Sequence, residues 1–366
     1  MRLFIDCRYV RTRVHDGISR YTASLVAAAA PLAEVTMLIS DEAQLRMLPD
    51  LPWLKLTSPT GPAEPFVARQ INPHRPDVVF SPMQTMGSLG RNYPLILTLH
   101  DLIYYQHPTP PRDLPAPVRL GWRLYHLSYL PQRLTLDRAD AVATVSQTTA
   151  ELIAAHRLTR RPVHLVPNAP QEVAEPRPAD RQPAKELVYM GSFMEYKNVE
   201  AVIAGLNRLP EYRLHLCSPV APARRAQLSA LADRPGQLIW HSGVSEEVYQ
   251  QLLRRATALV TLSRAEGYGL PVIEAMSHGT PAVVSDLPIF REVAGSAVTD
   301  RGVQVVPQDD AGADEAQAFA AAVRALESPA VFERASAAAR ARSQDYRWDD
   351  SAHRLVELAE SLCRQD

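Results

Sequence analysis

Two successive series of short apolar or β-branched runs, each alternating with helical patterns, constrain the fold of this chain more than any other feature. The first series is Leu3 to Asp6, Val35 to Ile39, Val78 to Ser81, Leu95 to Leu99, Ala141 to Val145 and Val163 to Val166. The second is Leu187 to Met190, Arg213 to Cys217, Leu238 to Trp240, Leu259 to Leu262, Ala282 to Ser285 and Val303 to Val306. Runs that stay apolar along their length belong to strands buried on both faces, and alternation with helices puts such strands in parallel sheets. The fold class is therefore α/β, with two Rossmann-like, doubly wound domains. Pro170, Pro176, Pro178 and Pro183 stand among charged residues between the series and mark 170–185 as an extended linker. This leaves domains at 1–169 and 186–347. The final helical pattern, Asp350 to Cys363, sets Ala352, Leu355, Val356, Leu358, Ala359 and Leu362 near a 3.6-residue period and needs an apolar surface to cover. The Ala-rich stretch 311–339 reads as helix, since Ala is the best helix former.

Composition narrows the function classes. The 366 residues carry a net charge of −1 and are 46% hydrophobic, which excludes a wholly disordered chain and the strongly basic balance of a nucleic-acid coat. The longest apolar run, Ala23 to Leu32, falls short of the ~20 residues that span a bilayer and is broken by Ser24 and Pro31. Arg2 to Asp6 reads as a strand and not as a secretory signal. Cys7, Cys217 and Cys363 are far apart, as expected for reduced thiols. A cytoplasmic location follows as the expectation.

In open parallel sheets, ligands sit beyond the carboxyl ends of strands. Four such places carry polar residues. After the strand ending near Leu262 comes Ala265-Glu266-Gly267-Tyr268-Gly269-Leu270-Pro271, running on to Glu274 and Met276. Pro271 suits a first helical turn and Gly279 a helix end, so a short helix is expected between them. Gly267 and Gly269 allow close backbone approach to a ligand, and the Gly269 and Leu270 amides lie at a helix end suited to phosphate. Glu266 can accept hydrogen bonds from sugar hydroxyls and Glu274 can take a ribose diol. The same spacing also fits a Glu-stabilised helix start. In the second place, Gly191 is followed by Lys197-Asn198, so an ammonium can reach a diphosphate. No glycine precedes Lys197 directly and no Ser or Thr follows it, which rules out a P-loop. A solvated lysine is the bland alternative. The third place is His100-Asp101, after Leu95 to Leu99. There the imidazole can donate to a substrate and Asp101 can orient it, or the pair can merely cap the strand. The fourth is the basic loop Arg8 to Tyr21, with a single Gly17 where a dinucleotide fingerprint would need three glycines. Arg8, Arg11 and Arg13 can face an anionic acceptor, although such loops are often simply solvated.

Taken together, these places resemble the retaining glycosyltransferases of family GT4, group 1, over nearly the whole chain. The most specific element is the E-x7-E motif from Glu266 to Glu274, with Gly-Tyr-Gly-Leu-Pro inside it. Weaker supports are Gly17-Ile18-Ser19-Arg20-Tyr21, His100-Asp101, Val145-Ser146, Pro167-Asn168-Ala169 and the segment from Gly191 to Asn198. The resemblance implies a GT-B fold, two Rossmann-like domains facing across a cleft, with the last helix, 348–366, returning to complete the first domain. It implies a nucleotide-sugar donor on the second domain and an acceptor on the first. Carried over residue by residue, Glu266 contacts donor-sugar hydroxyls, Glu274 the ribose, and Lys197 the diphosphate together with Gly191 and the Gly269 and Leu270 amides. His100 faces the sugar near the anomeric centre, and Gly17, Arg8, Arg11 and Asp101 stand on the acceptor side. One departure concerns charge. Many members carry Arg directly after the glycine matching Gly191, whereas this chain has Ser192, and Tyr196 fills the alternative position before the lysine. Arg264 is a candidate replacement.

The expected activity is transfer of a hexose, mannose from GDP-mannose, to a lipid-linked or polysaccharide acceptor in cell-envelope synthesis. No Asp-x-Asp occurs in the chain, so neither metal nor cofactor is expected, only the nucleotide-sugar as substrate. A UDP-sugar donor, an epimerase or hydrolase on the same fold, and a catalytically weak nucleotide-sugar-binding partner are the alternatives. The segment Pro117 to Leu130 mixes Arg119 and Arg123 with Trp122, Tyr125 and Tyr129 at helical spacings. It suits peripheral contact with the inner face of the plasma membrane or a lipid-linked acceptor, and equally an ordinary core-facing helix.

Overall fold

The computed structural model describes residues 1–110, 116–173, 175, 177, 183–300, 302–308 and 313–364. The chain divides into two compact units, Met1–Asn168 with Arg347–Asp366, and Ala169–Tyr346. The first holds a seven-stranded sheet built from β1 (Arg2–Asp6), β2 (Glu34–Ile39), β3 (Trp53–Lys55), β4 (Val78–Ser81), β5 (Leu95–Leu99), β6 (Ala141–Thr144) and β7 (Val163–Leu165), in the order β3-β2-β1-β4-β5-β6-β7. The second holds a six-stranded sheet of β8 (Ala184–Tyr189), β9 (Arg213–Leu216), β10 (Leu238–Trp240), β11 (Ala256–Thr261), β12 (Ala282–Ser285) and β13 (Val303–Val306), ordered β10-β9-β8-β11-β12-β13. Every neighbouring pair is parallel. In each sheet the order reverses beside the first strand, the topology of a doubly wound sheet, so the strand ends on either side of that point are where side chains converge.

All twelve strands read from apolar runs are present. β3 is additional. It lies at the sheet edge with Trp53 and Lys55 exposed, so it offers no buried run to detect. The Ala-rich stretch forms two helices, Ala313–Ala325 and Pro329–Ser343, and Pro329 opens the second because it cannot continue the first. Residues 311 and 312 of that stretch lie outside the described residues.

The linker reading needs correction at its described ends. Ala184 and Lys185 already belong to β8. Arg177 is buried, donating to the carbonyls of Arg254 (2.8 Å), Leu253 (3.2 Å) and Ala256, with its guanidinium over the Phe332 ring. A long cationic side chain can bury its planar head where backbone carbonyls satisfy it, which composition alone does not reveal. Pro176, Pro178 and residues 179–182 lie outside the described residues.

The last helix, Trp348–Cys363, packs in the first unit against Gly17–Ala29 and buries Ser351, Ala352, Leu355, Val356, Leu358, Ala359 and Leu362. Each large aliphatic side chain in that stripe contributes about 1.5–3 kcal/mol. Ser351 Oγ donates to the Pro167 carbonyl (2.8 Å) and Trp348 meets the buried Tyr21 ring edge-on at 5.9 Å. No helix among the described residues is long and apolar enough to cross a membrane.

One buried imidazole makes the second unit acid-sensitive. His278 follows the Leu270–Ser277 helix, and burial, then the nearby Arg254, push it down to about 4. Between about pH 6.5 and pH 4 the unfolded chain therefore binds a proton that the native state refuses, and stability falls as pH falls through that window. Urea denaturation at pH 7 and pH 5 is expected to give a stability loss about 2 kcal/mol smaller in His278→Gln than in the parent. Equal losses in both proteins would remove His278 as the source.

Candidate active site

The site grows from the ends of β8 and β11, neighbours at the centre of the second sheet. β11 is buried along its whole length, so the residues following it are the first that can be polar and reachable. Ser263 Oγ donates to Glu266 Oε1 (2.9 Å), and Lys197 Nζ donates to the same oxygen at 2.7 Å. The two charged side chains are only 14% and 13% exposed, so this is a partly buried pair and not a surface contact. A second bond, from the Arg264 amide to the Tyr196 carbonyl (2.7 Å), ties the two loops together. Lys197 ends a 3-10 turn over Glu195–Lys197, and Asn198, left-handed at φ 49°, starts the Val199–Leu206 helix. Asn tolerates that conformation better than most residues.

The expected short helix is present as Leu270–Ser277, with Pro271 in its first turn and Gly279 at φ 72° just beyond its end. Gly269 caps it at φ 91°, and a Cβ there would lie 2.8 Å from the Phe290 ring. Both backbone and space therefore demand glycine. The helix begins four residues after Glu266, and the dipole at its N-terminus favours negative charge. Glu274 lies on the same helix beside Tyr249 of the Glu246–Arg255 helix. Burial first, and then the Glu274 carboxylate, push the Tyr249 phenol well above its ordinary range. The Gly191 amide donates to Ser218 Oγ (3.1 Å), and Tyr189 Oη donates to the Ser192 carbonyl (2.6 Å). Arg264 reaches the fully buried carboxylate of Glu315 (3.1 Å), which also accepts from Asn198 Nδ2 (3.3 Å).

In the first unit, His100 follows β5 and is half-buried. Its Nε2 donates to the Pro82 carbonyl (2.7 Å), and the Tyr21 ring meets it edge-on at 5.1 Å. Burial, only partly offset by the Pro82 carbonyl and Asp101, pushes the imidazole below its ordinary value. The ring is thus neutral near pH 7, and with the proton on Nε2 its Nδ1 is a bare acceptor. Asp101 Oδ1 accepts from the Ile103 amide (3.0 Å), a strand-end turn. Gly17 opens the first helix. Before it Asp16 caps through the Ser19 amide (2.9 Å) and pairs with the exposed Arg11 at 2.6 Å. Ser146 caps the Gln147–Ala155 helix through the Thr149 amide (3.0 Å).

Arg8 corrects the sequence reading. It does not stand with Arg11 and Arg13 on the loop surface but is buried between Asp6 (2.8 Å) and Glu64 (2.5 Å). Two carboxylates consume its charge, so it has none to offer an anionic acceptor. Sequence reading missed Ser263, Ser218 and Tyr249. Ser263 and Ser218 were findable because each lies within two residues of a strand end, whereas nothing local distinguishes Tyr249 from an ordinary core tyrosine. Among the described residues, no group of three or more His, Cys, Asp or Glu side chains is placed to hold a metal ion.

Comparison with known proteins bears on the family and the fold. Residues 171–342 match the family model of glycosyl transferases group 1, and residues 15–169 match that of glycosyltransferase family 4. The GDP-mannose:cellobiosyl-diphosphopolyprenol alpha-mannosyltransferase of Xanthomonas campestris is 30% identical over 187 residues, covering 48% of this chain and 47% of that enzyme. The lipopolysaccharide 1,6-galactosyltransferase of Salmonella typhimurium is 28% identical over 174 residues, covering 45% and 48%. The chain spans about half, or less, of the length of the curated relatives it matches. Sucrose-phosphate synthase from Thermosynechococcus elongatus is similar in structure over 100% of both chains, with a TM-score of 0.75 and 19% identity, a likeness of fold. The two parallel-sheet domains are those of the GT-B fold, and the chain belongs to the family 4, group 1 glycosyltransferases.

Proposed function

We propose that this glycosyltransferase moves mannose from GDP-mannose to a lipid-linked or saccharide acceptor in cell-envelope glycan synthesis, with retention at the anomeric carbon and without a metal. The observation that carries the reading is the 2.7 Å Lys197–Glu266 contact at the head of the Leu270–Ser277 helix. It joins a cation able to face a diphosphate to a carboxylate able to accept hydrogen bonds from sugar hydroxyls. In this reading Lys197, Gly191 and the Gly269 and Leu270 amides receive the diphosphate, Glu274 the ribose and Glu266 the sugar. His100 is the catalytic candidate of the first unit, and Gly17, Arg11 and Asp101 are its acceptor-side candidates. As the nucleoside diphosphate departs, the sugar develops oxocarbenium character. In this reading the growing negative charge on the leaving group is met by Lys197 and the helix N-terminus. Arg264 pairs with Glu315 as Lys197 pairs with Glu266, and this reading assigns the leaving-group charge to Lys197 and the amides.

Mannose as the transferred sugar is supported by the Xanthomonas relative, and the Salmonella relative supports a second reading, transfer of galactose, for which a UDP-sugar is the donor to test. The test is a panel of GDP- and UDP-sugars, with and without a crude lipid acceptor extract, read as nucleoside diphosphate release and as thermal stabilisation. Acceptor-dependent release from GDP-mannose is expected. Release from a UDP-sugar alone establishes the second reading, and release without any acceptor overturns both in favour of a hydrolase or epimerase. Stabilisation without release under any condition leaves a missing acceptor or a binding-only protein, and makes Ser192→Arg the next variant to test.

A further inference from the structure

Glu315 belongs to none of the strand-end motifs. It sits in the first turn of the Ala313–Ala325 helix, yet its carboxylate lies between the two loops of the candidate site. The side chain is fully buried, and one oxygen, Oε2, accepts both from Asn198 Nδ2 (3.3 Å) and from Arg264 Nη2 (3.1 Å). Asn198 directly follows Lys197, and Arg264 stands two residues before Glu266. A buried carboxylate is costly without hydrogen bonds and a cation, and this one has both from the loops that carry the site.

Lys197 is bracketed in consequence. On one side the Tyr196 carbonyl accepts from the Arg264 amide (2.7 Å), and on the other Asn198 is joined to Arg264 through Glu315. An Asn at the start of a helix ordinarily caps it. Asn198 begins the Val199–Leu206 helix but makes no side-chain capping bond to it, and its carboxamide goes to Glu315. Further along, the two helices are pressed together. A Cβ at Gly205, seven residues past Asn198, would run into the ring of Phe319, four residues past Glu315. That close approach fixes the height at which Glu315 meets Asn198. The Glu266 loop has holds of its own, since the Ser263 carbonyl accepts from Ser285 Oγ (2.6 Å) and Gln308 Nε2 (3.2 Å). Loss of Glu315 therefore loosens the Lys197 side of the pair more than the Glu266 side.

We propose that Glu315 is a positioning residue of the donor site, holding Lys197 where its ammonium meets the diphosphate. This role rests on the reading that Lys197 receives the diphosphate, and a cycle of variants separates the two.

Calorimetric titration with GDP and with UDP, run beside thermal melting, reads the cycle. Lys197→Met should weaken the preferred nucleotide at least about tenfold, the loss of a charged hydrogen-bond donor. Glu315→Ala should weaken it about tenfold in the parent but less than about twofold in Lys197→Met, because a residue acting through Lys197 has nothing to position once the ammonium is gone. Arg264, 27% exposed, can turn to water in that variant. Glu315→Gln, whose carboxamide oxygen still accepts from both donors, should stay within about threefold of the parent. A general loosening of the fold would instead lower binding by the same factor in both backgrounds, and that result overturns the proposal. So does unchanged binding in Glu315→Ala. Should Glu315→Ala not fold, Asn198→Gly removes one of the two bonds and keeps the left-handed backbone. About threefold weaker binding is then expected, and unchanged binding overturns the proposal. If Lys197→Met binds as the parent does, or the parent binds neither nucleotide, the donor reading itself falls and takes the role of Glu315 with it.

Discussion

Turnover by Lys197→Met is expected to fall about 10²–10³-fold, the range seen when one preorganised donor to developing negative charge is removed. The variant should also lose stability. Glu266, 13% exposed, would keep Ser263 Oγ but lose its cation, and a buried carboxylate missing a partner costs about 1–3 kcal/mol. These two effects separate in Lys197→Met/Glu266→Gln. Removing both charges of a buried pair is far milder than removing one, so melting temperature should recover most of the way. Turnover should not, because neither the cation for the diphosphate nor the carboxylate for the sugar returns. Nucleoside diphosphate release measured beside thermal melting decides the matter. Activity that recovered in step with stability would make the pair a structural fastening and deprive Lys197 of its proposed role.

The second large effect concerns stability. Arg8→Met is expected to destabilise the protein by about 3–5 kcal/mol, since it strands two buried carboxylates, Asp6 and Glu64. That is a large fraction of the 5–15 kcal/mol typical of a domain. The network also fixes local geometry. Ser81 Oγ donates to Asp6 (3.2 Å), the Gly87 amide donates to Glu64 (3.0 Å), and the Pro82 carbonyl between them holds His100 Nε2. Glu64→Gln should cost less, because Asp6 still neutralises Arg8 and a carboxamide oxygen can still accept from Gly87. Urea denaturation checks the order. An Arg8→Met loss below about 1 kcal/mol would mean that water reaches the carboxylates, and would contradict the burial.

Much of the architecture was legible because doubly buried strands must be apolar at consecutive positions. The runs at Val78 to Ser81 and Leu259 to Leu262 can hardly be anything else in a chain with this helical spacing. β3 was not legible, since an exposed edge strand is held by backbone bonds to β2 and asks little of its side chains. The short helix after Gly269 was readable from Pro271 and Gly279, whose backbone limits are properties of the residues themselves. The roles of charged residues were less so. Arg8, Arg11 and Arg13 look alike in the sequence, and only Glu64, 56 residues further on, separates the buried one from the others.

The sequence by itself determined the two doubly wound sheets, the strand-end positions of His100, Lys197 and Glu266, and the apolar stripe of the last helix. These depend on local composition and period, which each segment carries alone. Tertiary structure decided that Lys197 and Glu266 meet across 69 residues, that Arg264 belongs to Glu315, that Arg8 is sealed between carboxylates, and that the leucines of 120–134 face outward while the neighbouring aromatics face in. Each of those outcomes depends on which distant group arrives at bonding distance. A charge is a free ligand contact or a buried fastening according to its partner, and a helical stripe is core or surface according to what packs against it.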